Sequence, residues 1–198
     1  MLGTHGISGV VLAGGQGRRM GSVDKGLREL RGKTMVEWVL ERFAPQVDEV
    51  LINANQNLDI YARFGYRVIP DEIGGFAGPL AGLQRGLAEA RYPLVATAPC
   101  DTPFLPLDLV ARLRAALETA NAQLAVARTG EQPHPVFCVC RRDVLAHLTQ
   151  FLAAGGRKID AWYATLSVAE VAFDDEPGAF SNINTLAELT ALESAPLP

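Results

Sequence analysis

The chain reads as an α/β protein: a single three-layer α/β/α domain spanning residues 1–198, built on a Rossmann-like, mostly parallel sheet. Three observations predict this. Short apolar segments alternate with helical periodicity through the first two-thirds of the chain, the pattern of successive βαβ units. Those segments are apolar at nearly every position, as strands buried on both faces are. The first of them, Ile7 to Leu12, runs into a glycine-rich turn, as the opening strand of a nucleotide-binding sheet does.

The elements follow in order. Ile7–Leu12 is the first strand. Leu27–Leu30 reads as a short extended piece, with a turn at Arg31-Gly32-Lys33. Thr34 caps a helix with Glu37 three residues on, and Met35, Val36, Val39, Leu40 and Phe43 form its apolar stripe before Pro45 stops it. Glu49–Ile52 is the second strand, ending in Asn53-Ala54-Asn55, and Leu58–Phe64 is a short helix. Arg67–Ile69 is the third strand, closed by Pro70-Asp71. Gly74 to Gly82 is a second glycine-rich stretch, leading into a helix from about Leu80 to Ala90. Leu94–Ala98 is the fourth strand and ends in Pro99-Cys100-Asp101-Thr102-Pro103; a helix from Leu107 or Asp108 to Leu117 follows. Gln123–Arg128 and Val136–Cys140 are strands separated by a turn over Glu131 to Pro135. Helices at Arg142–Ala153 and Lys158–Ala164, a last strand at Ser167–Phe173, and a closing helix from Asn184 or Thr185 to Leu192 complete the chain.

Composition narrows the function. Net charge is −4 with no basic or acidic tail, which argues against nucleic acid as a partner. No apolar run approaches the ~20 residues of a membrane span, and the first residues, MLGTHGIS, lack the pattern of a signal peptide. Cys100, Cys138 and Cys140 are odd in number and fit no disulfide framework, so a cytoplasmic location with free thiols is expected.

The turn after the first strand carries the sharpest signal. Gly14, Gly15, Gly17 and Gly21 fall close together, with Arg18, Arg19 and Lys25 among and after them. Glycines leave backbone N–H groups open to an anion, and several cations suit a polyphosphate. The plainer reading is a Gly-rich connection with solvated arginines. A Walker A loop is excluded, since Lys25 follows Asp24 and precedes Gly26. A dinucleotide fingerprint is excluded too: Met20 stands where its third glycine belongs, and the second strand ends in asparagines rather than an acid.

In an open parallel sheet ligands bind beyond the carboxyl ends of the strands. The first four strands end in the glycine turn, Asn53, Asp71 and Asp101, and these are expected to line one crevice. Asp101, between Pro99 and Pro103, suits Mg²⁺ bridged to phosphate, or else caps the next helix. Lys25 and Arg19 are either surface charge or the groups that neutralise an α-phosphate and its leaving pyrophosphate. Asn53 suits a base edge or ribose, or a turn; Asp71 suits a ribose hydroxyl or base N–H, or a turn. Asn182 and Asn184 share one face of an extended segment and read as contacts to a second substrate, or Asn184 as a helix cap. Gly155-Gly156-Arg157-Lys158 reads equally as a phosphate contact for that substrate or as a solvated loop.

The stretch LAGGQGRRMGSVDKGL, Leu12 to Leu27, resembles the signature of the nucleotidyltransferases that join an NTP to a phosphorylated acceptor. Asn53-Ala54-Asn55, Ile69-Pro70-Asp71, Gly78 to Gly82, Pro99 to Pro103, His134-Pro135 and Asn182 to Thr185 narrow the resemblance to the molybdenum cofactor guanylyltransferases, over nearly the whole chain. That resemblance implies one antiparallel strand, Val136–Cys140, in the sheet. It implies transfer of GMP from GTP to molybdopterin with Mg²⁺, a GTP site of Leu12, Ala13, Gly14, Gly15, Lys25, Asn53, Asp71, Gly78 and Asp101, and Mg²⁺ on Asp101. It implies Arg19, Lys25 and Asp101 in catalysis, and Arg157, Lys158, Asn182 and Asn184 facing the pterin. Partner proteins of cofactor insertion and delivery are expected of such a family. The alternatives are a cytidylyltransferase for the same pterin, a sugar-phosphate nucleotidyltransferase, or a nucleotide-binding sensor that does not catalyse.

Overall fold

The computed structural model describes residues 6–15, 24–72 and 78–183, together with Glu188. The described residues form nine strands: β1 (Ile7–Leu12), β2 (Glu29–Leu30), β3 (Lys33–Thr34), β4 (Glu49–Asn53), β5 (Arg67–Ile69), β6 (Leu94–Pro99), β7 (Leu124–Thr129), β8 (Gln132–Arg141) and β9 (Val168–Ala172). The helices are α1 (Met35–Phe43), α2 (Leu58–Ala62), α3 (Pro79–Glu89), α4 (Leu109–Thr119), α5 (Leu145–Ala153) and α6 (Ile159–Tyr163). Seven strands form one sheet in the order β5-β4-β1-β6-β8-β7-β9, while β2 and β3 make a separate two-stranded hairpin. Every pairing in the large sheet is parallel except those of β8, which is antiparallel to both β6 and β7. The mostly parallel sheet with one antiparallel strand is therefore as the sequence led us to expect.

Alternation along the strands builds the layers. Val11, Ile52, Ala96 and Val139 face a core closed by the apolar stripes of α1 and α4. Their neighbours Val10, Leu51, Val95 and Cys138 face a second core under α3 and α5, closed by Trp162 of α6. The entry into α1 is fixed locally: the Glu37 carboxylate accepts from both the Thr34 amide and the Thr34 hydroxyl, each at 2.7 Å, and these bonds hold its pKa below the usual carboxylate value.

One boundary differs in kind from the sequence reading. The sequence predicts a turn over Glu131 to Pro135, because Pro133 and Pro135 are turn formers. Glu131 does stand in the turn, but Gln132 to Pro135 belong to β8, which pairs with β7 across a tight reversal at Gly130-Glu131, where Gly130 has φ +51°. The prolines are tolerated because the register shifts: Cys138 faces Val126, but His134 already faces Ala127, so residues 135 to 137 bulge from the ladder. The carbonyls released by the bulge are caught by buried hydroxyls. Tyr163 donates to the Pro135 carbonyl at 2.6 Å, and Thr97 to that of Val136 at 2.5 Å. The closing helix expected from Asn184 lies outside the described residues.

Candidate active site

The strand ends named from sequence stand side by side. Leu12 is in register with Asn53 on one side and Pro99 on the other, and Asn53 with Ile69. The next residues extend the alignment past the ladder: Ala13 N–H donates to the Asn53 carbonyl at 2.8 Å, and Cys100 N–H to that of Leu12 at 3.1 Å. One rim thus carries Leu12, Ala13, Gly14 and Gly15, then Asn53 and Asn55, then Asp71, with Asp101 on the opposite side of β1.

At the β5 side the rim is tied by amides. Asn53 is buried and donates from Nδ2 to the Ile69 carbonyl (3.1 Å) and to Asp71 Oδ1 (2.8 Å). Asn55 donates from Nδ2 to Asp71 Oδ2 (2.8 Å) and to the Gly14 carbonyl (3.2 Å), and its Oδ1 accepts from the Asp71 amide (2.8 Å). These partners fix which way each amide points, since the reverse flip would set oxygen against oxygen. Asn53 therefore holds Asp71 in place, whereas Asp71 stays partly accessible. Gly82, in the first turn of α3, closes over the cluster: a Cβ there would lie 2.3 Å from Asn53 Oδ1. Gly78, with φ +70°, precedes α3 and starts it at this same edge.

At the centre Lys25 Nζ lies 3.4 Å from Asp101 Oδ2, with side chains 29% and 13% exposed. Asp101 does not cap a helix, because α4 begins only at Leu109. Its carbonyl instead accepts from the Ile183 amide at 3.0 Å. The segment carrying Lys25 has an anchor that the sequence did not reveal. Asp24 accepts from Gly26 N–H (3.2 Å), from the Tyr61 hydroxyl (2.7 Å) and from Asn57 Nδ2 (3.1 Å). Burial raises the Tyr61 hydroxyl far above the usual phenol value, so it stays a proton donor. Gly26 fits because a Cβ would lie 2.6 Å from that hydroxyl and 3.1 Å from Cys100. Cys100 is itself buried, and burial pushes its thiol pKa up, which removes it as a nucleophile.

On the other side of Asp101 the chain leaving β9 crosses the carboxyl edge. Asn182 Oδ1 accepts from the Thr102 hydroxyl at 2.6 Å, next to Asp101. Phe180 stacks on His134, with ring centroids 4.5 Å apart and planes at 7°. Between this segment and the β8 bulge lies a cleft of about 460 Å³, lined among others by Pro99, Thr129, Gln132, His134, Phe137 and Asn182. His134 Nε2 is 2.8 Å from the Thr129 hydroxyl, and burial lowers the His134 pKa.

Arg157 and Lys158 do not line that cleft. Arg157 donates to the Leu152 and Gly156 carbonyls, and Lys158 precedes α6. They still come to the same edge: Arg142, ahead of α5, bonds the Leu87 and Ala88 carbonyls late in α3, and Gln84 meets Thr149. So α5 runs antiparallel to α3 and ends where α3 starts. Arg19 and Asn184 lie outside the described residues. Among the described residues no three His, Cys, Asp or Glu side chains gather as a metal cage, and no helix is long and apolar enough to cross a membrane.

The chain is similar to known proteins along nearly its whole length. The molybdenum cofactor guanylyltransferase of Shewanella amazonensis is 50% identical over 96% of this chain and 96% of its own length. A molybdopterin-guanine dinucleotide biosynthesis protein A from Archaeoglobus fulgidus superposes with a TM-score of 0.78 at 26% identity, covering 94% of this chain and 96% of that one. Rv0371C of Mycobacterium tuberculosis, crystallised in complex with manganese, shares the fold at a TM-score of 0.69 and 20% identity, over 96% and 100% of the two chains. The model of the MobA-like NTP transferase domain matches residues 9–168, and the chain belongs to that family.

Proposed function

We propose that this protein transfers GMP from GTP to the terminal phosphate of molybdopterin, with or without its molybdenum, leaving the guanine dinucleotide form of the cofactor and pyrophosphate. The observation that carries the reading is the rim itself: a clamped carboxylate at the β5 side, a lysine–carboxylate pair at the tip of β6, and a cleft beyond it. The guanylyltransferase name of a relative matching end to end at 50% identity supports it.

In the reaction an oxygen of the acceptor phosphate bonds to the α-phosphorus of GTP, and the bond from that phosphorus to the bridging oxygen of the β-phosphate breaks. Pyrophosphate leaves with the electron pair. The acceptor phosphate is ionised at neutral pH, so no general base is required, and catalysis rests on positioning and charge neutralisation. Lys25 meets the charge on the α-phosphate, joined by Arg19. Leu12 to Gly15 and Gly78 offer backbone to the nucleotide. Asn53 and Asp71 hold its base end. Asn182 and Asn184 receive the pterin at the cleft, and Arg157 and Lys158, on the same edge but outside the cleft, meet its phosphate.

The family works with a divalent cation, and here Mg²⁺ is proposed. Asp101 fits such an ion: it is a carboxylate fixed by backbone bonds on both sides, not consumed in a cap, and a single carboxylate completed by phosphate oxygens is a normal Mg²⁺ arrangement. The bound ion supplies further neutralisation of the phosphates.

The test is pyrophosphate release with molybdopterin and Mg²⁺, with GTP, CTP, UTP and ATP compared in one turnover assay. Release with GTP above all others is expected. Preference for CTP, activity with a sugar phosphate in place of the pterin, or GTP binding without product would each overturn the reading.

A further inference from the structure

We infer that Asn55 is a positioning residue for base selection: through its hydrogen bonds to Asp71 it turns that carboxylate into a two-pronged acceptor for the guanine edge. This rests on the GTP reading above and adds a residue to it.

The inference follows from counting lone pairs. A carboxylate has about four acceptor sites. Asn53 Nδ2 takes one on Oδ1 and Asn55 Nδ2 takes one on Oδ2, both at 2.8 Å. With each oxygen bonded to a different amide, the carboxylate cannot rotate without breaking one of them. One acceptor position per oxygen is then left, the number that a pair of parallel N–H donors requires. Among nucleobases only guanine carries two adjacent N–H donors, N1–H and the N2 amine, that meet a carboxylate in parallel. Adenine and cytosine offer one exocyclic amine beside an acceptor, and uracil a single N–H between two carbonyls.

Asn55 differs from Asn53 in what it joins. Among the described residues the Asn53 side chain bonds only to the β5 end, at the Ile69 carbonyl and Asp71. Asn55 also accepts from the Asp71 amide and donates to the carbonyl of Gly14. It therefore fixes the base-reading carboxylate relative to the turn on which the phosphates rest. A residue that merely stabilised the fold would affect all nucleotides alike; one that sets this spacing and orientation acts on the base.

The test is equilibrium binding of GTP and of ITP, which lacks the N2 amine, to the full-length protein with Mg²⁺. Wild type is expected to favour GTP by about tenfold or more, the worth of a hydrogen bond to a charged group. Asn55→Ala is expected to weaken GTP by about tenfold, ITP by much less, and so to bring the two affinities within about threefold. Asn55→Thr, of nearly native volume but too short to span to Asp71, repeats the test should the alanine protein fold poorly. GTP and ITP weakened equally, or a GTP preference that persists in both variants, would overturn the role of Asn55. Failure of wild type to bind GTP would instead overturn the function proposed above, so the two failures are separable.

Discussion

Replacing Gly82 by alanine sets two effects against each other, and the structure decides between them. Gly82 lies inside α3, where alanine is favoured over glycine by about 1 kcal/mol. Against this, the new Cβ would lie 2.3 Å from Asn53 Oδ1, 2.9 Å from Asn53 Cγ and 2.7 Å from Leu12 Cδ2. A free side chain would swing aside. Asn53 is only 2% exposed and its amide is bonded to Ile69 and Asp71, so moving it breaks a neutral hydrogen bond worth about 1 kcal/mol and a charged one worth about 1.5–3 kcal/mol. The propensity gain is outweighed, leaving a net destabilisation of about 1.5–3 kcal/mol and a Tm lower by about 3–12 °C. Asp71 loses one of its two amides in the same step, so GTP is expected to bind about tenfold more weakly. Calorimetry and a GTP titration measure both. Gly86→Ala is the control: it lies on the same helix, and its Cβ would lie 2.6 Å from Val10, so it should cost stability but not GTP affinity. A Gly82→Ala protein as stable as wild type and binding GTP equally well would refute the reasoning.

Three further outcomes are expected. Lys25→Met should leave Tm within a few degrees, since a partly exposed ion pair contributes about 0–1 kcal/mol, yet lower kcat by about a hundredfold or more; thermal melts and a pyrophosphate assay check this. Tyr61→Phe should cost about 1–3 kcal/mol in urea unfolding, because it removes a donor to the Asp24 carboxylate while keeping the packing, and should raise KM for GTP through the loosened Lys25 segment. Burial lowers the His134 pKa in the folded protein, so near pH 6 the unfolded chain binds more protons, and this residue's contribution to stability falls as pH drops through about 6.5. Melts from pH 7.5 to 5.5 should show that loss in wild type and a flatter profile in His134→Gln.

Much of this was legible because it is local. The apolar runs mark β1, β4, β5 and β6 since both faces of each are buried, and in a parallel sheet their carboxyl ends fall on one edge. Naming the residue after each run was therefore enough to bring Asn53, Asp71 and Asp101 to one rim. The Asp24–Tyr61 anchor escaped because its partners are far apart in sequence, and a Tyr on a short helix reads as core. The role of Asn55 is invisible in the sequence, since its three bonds depend on how β1, β4 and β5 are paired. The early start of β8 escaped for a different reason: Pro133 and Pro135 are turn signals, and only the tertiary hydroxyls of Tyr163 and Thr97 make a bulged strand affordable there.

The reversed strand also bears on how two substrates meet. A parallel strand beside β6 would end at the carboxyl edge and lead into a helix on one face of the sheet. Because β8 runs the other way, what stands at that edge is its beginning, with a tight reversal and a bulge, and the cleft opens there. Strands lie about 4.8 Å apart, so Asp71 behind β5 and Asp101 behind β6, three positions along, are separated by about 14 Å along the edge. On the proposed reading a nucleotide laid across these tips with its base at Asp71 has its α-phosphate near Lys25 and Asp101, while the acceptor enters from the β8 side. Nucleotide and acceptor then approach the reacting phosphorus from opposite directions along one row of strands, and strand order itself does part of the alignment that an in-line displacement demands.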